Sequence, residues 1–187
     1  MKFPAIIVLT CLCMVQGYGQ SKKELTAARA KSSTEWTAKK EDGKTVSYKS
    51  LYEEYDKNGN TTLHIEYDEG GTILLKEITV FDKYKRISSE TVYEAAKGKT
   101  IMTTYLYDAF NNVTEEKEFS GDKLIKKTVC SYNSKGQKNS EITYDGSGDV
   151  LKKSTYTYDS KNLKTGRSTV NTAKQTETTK KWVYTYF

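Results

Sequence analysis

The feature that most constrains the fold of this chain is an internal repeat that covers most of its length. Each copy is an aromatic residue, then Asp or Asn, then turn-forming residues. The aromatics at 55, 67, 81 and 93 are separated by 12, 14 and 12 residues, and the same alternation, broken by a single interval of 13, reaches residue 158, so that a unit of two strands takes 25 or 26 residues. A repeat of this kind is one supersecondary unit that stacks on its neighbours. The copies are Tyr55-Asp56, Tyr67-Asp68, Phe81-Asp82, Tyr107-Asp108, Tyr132-Asn133, Tyr144-Asp145 and Tyr158-Asp159, with degenerate copies at Tyr93-Glu94 and Phe119-Ser120.

The stretch before each aromatic predicts a strand, and the stretch after it predicts a turn. Ile101, Thr103 and Tyr105 alternate with Met102 and Thr104, which is the period of two that is typical of strands. The turns, such as 56–59 with the sequence Asp-Lys-Asn-Gly, open with a side-chain acceptor, and a Gly three residues later allows a positive φ. Each unit is therefore a β-hairpin of two strands.

Tandem hairpins of this kind predict an all-β fold, an antiparallel meander of about eleven strands from residue 45 to the end. Eleven strands at roughly 4.8 Å give a sheet about 50 Å wide. A flat sheet of that width is unfavourable in water, so we expect it to be strongly twisted or closed into a barrel-like sheet. The 13-residue spacing between Phe119 and Tyr132 reverses the face of the sheet unless a bulge or a different turn compensates.

The N-terminal segment predicts export. Lys2 precedes an apolar run from Phe3 to Val15, and small and polar residues follow, as in a signal peptide over residues 1–19. Residues 20–44 lack the repeat and are expected to form a polar arm, in which Lys22 to Lys31 suit a short helix. The repeat domain then covers residues 45–187. After cleavage only Cys130 remains among the cysteines, and we expect it to be a small buried residue on a strand.

The sequence shows no recognisable enzyme chemistry. His64 is the only histidine, so zinc sites of the usual Cys and His composition are excluded, and so are catalytic triads that do not use His64. There is no Gly-rich phosphate loop and no nucleophile elbow. We therefore expect a protein that is not an enzyme, with no catalytic residues, no metal ligands and no cofactor.

The charge pattern argues against a nucleic-acid partner. The formal net charge is +6, but lysines and glutamates are interspersed rather than grouped in blocks. Interspersed charges of both signs are typical of a solvated sheet face, whereas a nucleic-acid groove needs clustered Lys and Arg.

Aromatic residues are the remaining candidates for function, because residues two apart on a strand share a face. Tyr and Trp suit stacking on a glycan or an extended peptide, and a cell-envelope component is a further candidate partner. The alternative is that these rings only cap the two rims of the sheet. The candidate binding surface consists of Tyr105, Tyr107, Tyr132, Tyr156, Tyr158, Trp182 and Tyr184.

The recurring Tyr-Asp-x-x-Gly pattern, best developed over residues 55–71, resembles the bacterial YD-repeat proteins of the Rhs-like class. It is also similar to bacterial MORN-variant repeats, which place Tyr and Gly at comparable spacing. The resemblance covers residues 50–160 and implies a secreted hairpin-repeat architecture. It implies no ligand, because the shared residues are formers of strands and turns.

These observations favour an exported, non-enzymatic binding or scaffold module at the cell surface, in the periplasm or outside the cell. Two alternatives remain. An outer-membrane β-barrel is suggested by the aromatic C-terminal stretch from Trp182 to Phe187, but Glu115 and Glu116 fall on the two faces of one strand, where lipid contact is unfavourable. A barrel that carries a small apolar ligand in its lumen is the other alternative.

Overall fold

A computed structural model describes residues 21–41 and 44–185 as one antiparallel sheet of twelve strands with a short N-terminal helix. Every strand pairs with its neighbours in sequence, so the order in the sheet is the order in the chain. The predicted all-β meander is confirmed, with eleven strands from Lys44 onward and one strand before them. The elements are α1 (Lys22–Ala27), β1 (Ser32–Glu41), β2 (Lys44–Tyr55), β3 (Thr61–Tyr67), β4 (Ile73–Phe81), β5 (Ile87–Glu94), β6 (Lys99–Tyr107), β7 (Val113–Ser120), β8 (Lys123–Tyr132), β9 (Lys138–Asp145), β10 (Val150–Tyr158), β11 (Lys164–Asn171) and β12 (Thr176–Lys181).

The sheet is open. Within the described part of the chain, β1 pairs only with β2 and β12 only with β11. The closed, barrel-like form that the sequence also allowed is wrong, because β1 and β12 of the described chain do not pair with each other and each leaves one edge of the sheet unpaired. An open sheet encloses no lumen for an apolar ligand.

The N-terminal part of the described chain joins the sheet. Helix α1 begins with a capping box, in which the Ser21 side chain accepts from the Glu24 amide and the Glu24 side chain accepts from the Ser21 amide. β1 follows and pairs with β2, with a bulge between Glu35 and Trp36. The sheet therefore begins at Ser32, inside the segment expected to be an arm. The predicted signal peptide, residues 1–19, lies outside the described residues.

The repeated turns share one geometry. The Asn133 side-chain oxygen accepts hydrogen bonds of 3.0 Å from the Lys135 and Gln137 amides. The residue three positions after the acidic or amide residue has a positive φ, whether it is Gly136 at 74° or Lys85 at 64°. The same pair of amide bonds, to positions two and four residues later, is made by Asp56, Asp82, Asp108, Asp145 and Asp159.

The irregular spacing between Phe119 and Tyr132 is absorbed by a different turn. β7 and β8 are joined by only two residues, Gly121 and Asp122, and the pair Ser120 and Lys123 closes the hairpin. Gly121 has a φ of 59°, as a tight hairpin turn requires. A bulge between Glu118 and Phe119 restores the alternation, so the repeat resumes on its original faces.

The sheet is a single layer with little buried core. Ile65 and Cys130 are the strand residues with apolar side chains below 9% exposure in the described chain, and Leu25 is the third such residue, on α1. Ladder hydrogen bonds and cross-strand side-chain pairs thus carry much of the stability. No helix among the described residues has the length and apolarity to cross a membrane.

The aromatic face, a candidate binding site

All seven candidate aromatic residues belong to one side of the sheet, which we call the aromatic face: the strand register places five of them there, and contacts with Lys164 place Trp182 and Tyr184, just beyond β12, beside them. Tyr105 lies opposite Glu116, and Glu116 lies opposite Thr128. Thr128 and Ser154 lie on this same face, so the residues two and four positions further along their strands do too. The members of the aromatic face that the sequence singled out are Tyr105, Tyr107, Tyr132, Tyr156, Tyr158, Trp182 and Tyr184.

The four tyrosines at the rim of this face are tied to the backbone. The Tyr158 hydroxyl donates to the Lys138 carbonyl at 2.8 Å, and the Tyr132 hydroxyl donates to the Val113 carbonyl at 2.8 Å. Tyr107 and Tyr184 make the same bond at 2.7 Å to the carbonyls of Ile87 and Lys164. These hydroxyls are therefore used within the protein, and only the ring faces remain for a ligand.

The aromatics of the other rim lie on the opposite face. Tyr93 lies opposite Lys76, and Lys76 lies opposite Ile65, on the face away from Glu77 and His64. The reason lies in the repeat: strands that run in opposite directions end with their aromatic side chains on opposite faces of the sheet. Tyr67, Phe119 and Tyr144 belong to this opposite face as well. The candidate surface thus holds one rim of aromatics, not two.

Tyr105 and Tyr107 are held by charged neighbours. The Tyr105 hydroxyl donates to Glu90 at 2.7 Å, and burial together with that carboxylate raises the pKa of Tyr105. The Arg86 guanidinium lies 4.4 Å from the centre of the Tyr107 ring and 4.9 Å from that of Tyr84, within the range of a cation–π contact. These rings are fixed and half-buried.

A groove of about 410 Å³ lies where Tyr156 and Tyr158 meet two of the turns. Amide side chains surround the two rings, and these groups both donate and accept hydrogen bonds. Gln137 donates to the Asn162 carbonyl at 3.0 Å, which joins the β8–β9 turn to the β10–β11 turn. The polar lining of the groove consists of one cation, one carboxylate and uncharged side chains: Lys135, Asp159, Asn133, Ser134, Gln137, Asn139, Thr157 and Asn162.

The two most exposed of the seven candidate aromatic residues lie at the C-terminal end of the face. Trp182 and Tyr184 are 37% and 38% exposed, just beyond β12. The Trp182 amide donates to the Thr165 carbonyl at 3.0 Å, which continues the ladder past the last strand. The Lys164 ammonium lies 5.1 Å from the Tyr156 ring centre and 5.6 Å from that of Trp182. Two aromatic rings and a cation are therefore grouped here.

Charge is divided along the aromatic face. On strands β2 to β7 of this face, register places one cation, Lys99, among the carboxylates Glu53, Glu66, Glu77, Glu90, Glu94, Glu116 and Glu118. On strands β8 to β12 it places two carboxylates, Glu141 and Asp145, among the cations Lys126, Lys138, Lys152, Arg167 and Lys180. The sequence did not reveal this division, because lysines and glutamates are interspersed along the chain and only the register assigns them to faces.

His64 forms the centre of an ion-pair cluster in the acidic half. Its Nδ1 lies 3.1 Å from Glu53 and its Nε2 lies 3.2 Å from Glu66. The hydrogen bond with Glu53 is the main cause that raises the pKa of His64 to about 9, against a smaller opposing effect of burial. Sequence reasoning found no partner for His64, since its partners come from β2 and from the same strand. The arrangement is that of a charged structural pair.

Cys130 is buried at 8% exposure, and burial raises the pKa of its thiol. Its cross-strand partner Glu141 accepts a hydrogen bond from Lys138 at 3.2 Å and lies 3.6 Å from Lys152.

Within residues 21–41 and 44–185, no three His, Cys, Asp or Glu side chains are grouped as a metal ion would need.

No protein-family model matches the chain, and no curated protein matches it. Among solved structures, the Tc holotoxin pore of Photorhabdus luminescens matches over 78% of this chain and 9% of its own, with 13% identity and a TM-score of 0.45. A porin-like protein from Bacteroides uniformis matches over 80% and 82%, with 13% identity and a TM-score of 0.32. TarM matches over 83% and 22%, with 11% identity and a TM-score of 0.25. This chain thus spans about a tenth of the toxin chain, and likenesses at these scores carry no argument about function.

Proposed function

We propose that this chain is a non-enzymatic binding module whose aromatic face holds an extended glycan. The observation that carries the proposal is the groove in which Tyr156 and Tyr158 lie among the amide side chains of Asn133, Gln137 and Asn162. Sugar rings present apolar faces and hydroxyl edges. Aromatic rings stack on the former. The Asn133 and Gln137 amides each use one N–H within the turns, and their second N–H groups can donate to the latter.

The repeat itself suits an extended ligand rather than a compact one. The rim tyrosines recur along the sheet at every second strand, so a polymer that runs across the strands meets ring after ring. Their hydroxyl bonds to backbone carbonyls, as in Tyr132 and Tyr158, hold the rings in place before a ligand arrives. A preorganised surface loses less conformational entropy on binding.

We also propose that the protein is exported and that its repeat belongs to the YD-repeat class. Export is supported by the layout of residues 1–19, and the class is supported by the shared turn geometry at six positions. Expression of the full-length chain in a secreting bacterial host, followed by N-terminal sequencing of the product, tests export. We expect a mature protein that begins at Gln20 outside the cytoplasm. An uncleaved product in the cytoplasm would contradict this.

Binding is tested by affinity electrophoresis in native gels that contain a soluble polysaccharide. We expect the wild-type protein to be retarded, and the double variant Tyr156→Ala with Trp182→Ala to migrate freely. Trp36→Ala is the matched control, because Trp36 is 67% exposed and lies on the opposite face, across from Lys49. If retardation is lost in the Trp36 variant and kept in the double variant, the ligand binds the other face and the proposal is wrong.

A further inference from the structure

The basic half of the aromatic face contains cations that have no carboxylate to pair with. In the described part of the chain, Arg167 forms no ion pair, and its Nε is a buried side-chain donor with no hydrogen-bond acceptor. Buried donors are almost always satisfied, and an unsatisfied one marks a site that needs an explanation. The position is not at the edge of the sheet, because Arg167 on β11 lies between Tyr156 on β10 and Lys180 on β12.

Two further cations lie on β11 and β12, the strands that carry Arg167 and its cross-strand partner. Lys180 is the direct cross-strand partner of Arg167, and like charges in that position repel each other. Lys164 contacts the Tyr156 and Trp182 rings from the same side. Two acidic side chains of this region are already engaged, Glu141 with Lys138 and Lys152 and Asp159 with the Lys161 and Leu163 amides. Among the described residues, Arg167, Lys164 and Lys180 are thus three cations without an ion pair, and Trp182, beside Lys164, is exposed.

We infer that the ligand of this end of the aromatic face is an acidic polysaccharide, one that carries carboxylate or sulfate groups on its sugar rings. The inference rests on the proposed function and adds the substrate class to it. The rings of Tyr156 and Trp182 stack on the sugars, and the acidic groups bind the Arg167 guanidinium and the Lys164 and Lys180 ammonium groups. Guanidinium groups bind carboxylate and sulfate oxygens through paired N–H donors, and in Arg167 these are the two terminal nitrogens, because Nε is covered.

The division of charge along the face also sets the position of the ligand. An acidic polymer is repelled by the glutamates of β2 to β7, such as Glu77 and Glu90, and attracted by the lysines and arginine of β8 to β12. Interactions of this kind act over about 10 Å at ordinary ionic strength. The polymer is therefore confined to the C-terminal half of the face, where the groove also lies.

Calorimetric titration with three probes of similar length tests the inference: polygalacturonate, neutral dextran and a single-stranded oligothymidine. We expect polygalacturonate to bind at least about tenfold more tightly than dextran, with affinity that falls as salt rises. Oligothymidine binding as tight as that of polygalacturonate would mean that the site reads phosphate or charge alone, which overturns the assignment to a polysaccharide.

Neighbouring residues supply the matched control variants. Lys180→Gln removes a charge from the aromatic face, and Lys181→Gln removes the same charge from the opposite face, where Lys181 pairs with Gly166. We expect Lys180→Gln to weaken polygalacturonate binding by about three- to tenfold and Lys181→Gln to leave it unchanged. Arg167→Gln has the larger effect, and Arg167→Lys, which keeps the charge, restores part of the affinity.

Failure of the inference and failure of the proposed function give different results. Equal affinity for dextran and polygalacturonate, insensitive to Lys180→Gln, overturns the acidic ligand and leaves a glycan-binding face. Absence of binding to both polysaccharides overturns both. Light scattering covers the remaining case: a dimer that Lys180→Gln dissociates would show that the basic half binds the acidic half of a second copy, and the inference would be wrong.

Discussion

The hydroxyl of Tyr158 donates a hydrogen bond of 2.8 Å to the backbone carbonyl of Lys138, twenty residues earlier in the chain. The bond joins the end of β10 to the start of β9, next to the turn that follows each strand pair. Because the sheet is a single layer, this rim has no second layer to satisfy its carbonyls. The recurring tyrosine performs that task in four repeat units, at Tyr107, Tyr132, Tyr158 and Tyr184.

Replacement of the hydroxyl alone should therefore cost stability. We expect Tyr158→Phe to lower the free energy of unfolding by about 1 kcal/mol, the usual net value of one such hydrogen bond. Urea denaturation followed by circular dichroism measures the change. The ring itself is tolerated, because Phe81 occupies the equivalent position in an earlier repeat. An unfolding free energy equal to that of the wild type would show that the bond contributes nothing.

The cost of a positive φ in the turns can be tested by two opposite substitutions, one that introduces a glycine and one that removes it. Lys85 has a φ of 64°, which is unfavourable for a residue with a Cβ, and Gly136 has 74° at the equivalent position. We expect Lys85→Gly to raise the melting temperature slightly and Gly136→Lys to destabilise the protein by about 1 kcal/mol. No atom lies within 4 Å of a Cβ built on Gly136, so backbone strain and not a clash is the cause. Changes of the same sign in both variants would refute this reasoning.

The side-chain acceptor at the start of each turn can be tested at Asn133, the one regular copy that has an amide in place of a carboxylate. Asn133→Ala removes two bonds from the Lys135 and Gln137 amides, each 3.0 Å long. We expect a loss of about 1–2 kcal/mol in unfolding free energy. Asn133→Asp keeps the acceptor and should be close to neutral, as measured by urea denaturation. An equal loss in both variants would mean that the amide donor of Asn133 matters instead.

His64 gives the protein a specific dependence on pH. Glu53 and Glu66 raise its pKa from the ordinary value near 6.5 to about 9 in the folded state. A raised pKa means that the stabilisation is complete below about pH 6.5 and is lost as the pH rises through 9. We expect His64→Gln to destabilise the protein by about 1–2 kcal/mol at pH 6 and by much less at pH 10, since the pair is partly exposed to solvent. A difference between variant and wild type that does not change with pH would contradict the ion pair.

The sheet architecture was predictable because the same pattern of strand and turn residues recurs in each copy of the repeat. The Tyr-Asp pairs mark the strand ends, and the strand count and the antiparallel order follow from their spacing. The irregular interval before Tyr132 also had a predictable kind of solution, a bulge or a different turn. The structure has both, at Glu118 and Gly121, and their positions depend on how β7 pairs with β8. The positive φ of Lys85 was not predictable, because nothing in the local sequence marks a residue other than glycine as having a positive φ.

The candidate site was less predictable, because its properties depend on register. A shift of one residue exchanges the two faces, and each repeated turn is accompanied by a bulge that makes such a shift, as before Tyr107 and Tyr158. For this reason the sequence predicted two rims of aromatics but not that they lie on opposite faces. The pairing of Arg167 with Tyr156 and Lys180 was hidden for the same reason.

The two tryptophans of the chain provide a direct test of the central claim, that the aromatic face is the binding surface. Trp182 lies beside Lys164 on the aromatic face, and Trp36 lies on the opposite face at the other end of the sheet. Each indole gives one N–H signal in a proton–nitrogen correlation spectrum. On addition of polygalacturonate, we predict that the Trp182 signal shifts or broadens while the Trp36 signal is unchanged. A shift of Trp36 with Trp182 unchanged would contradict the account.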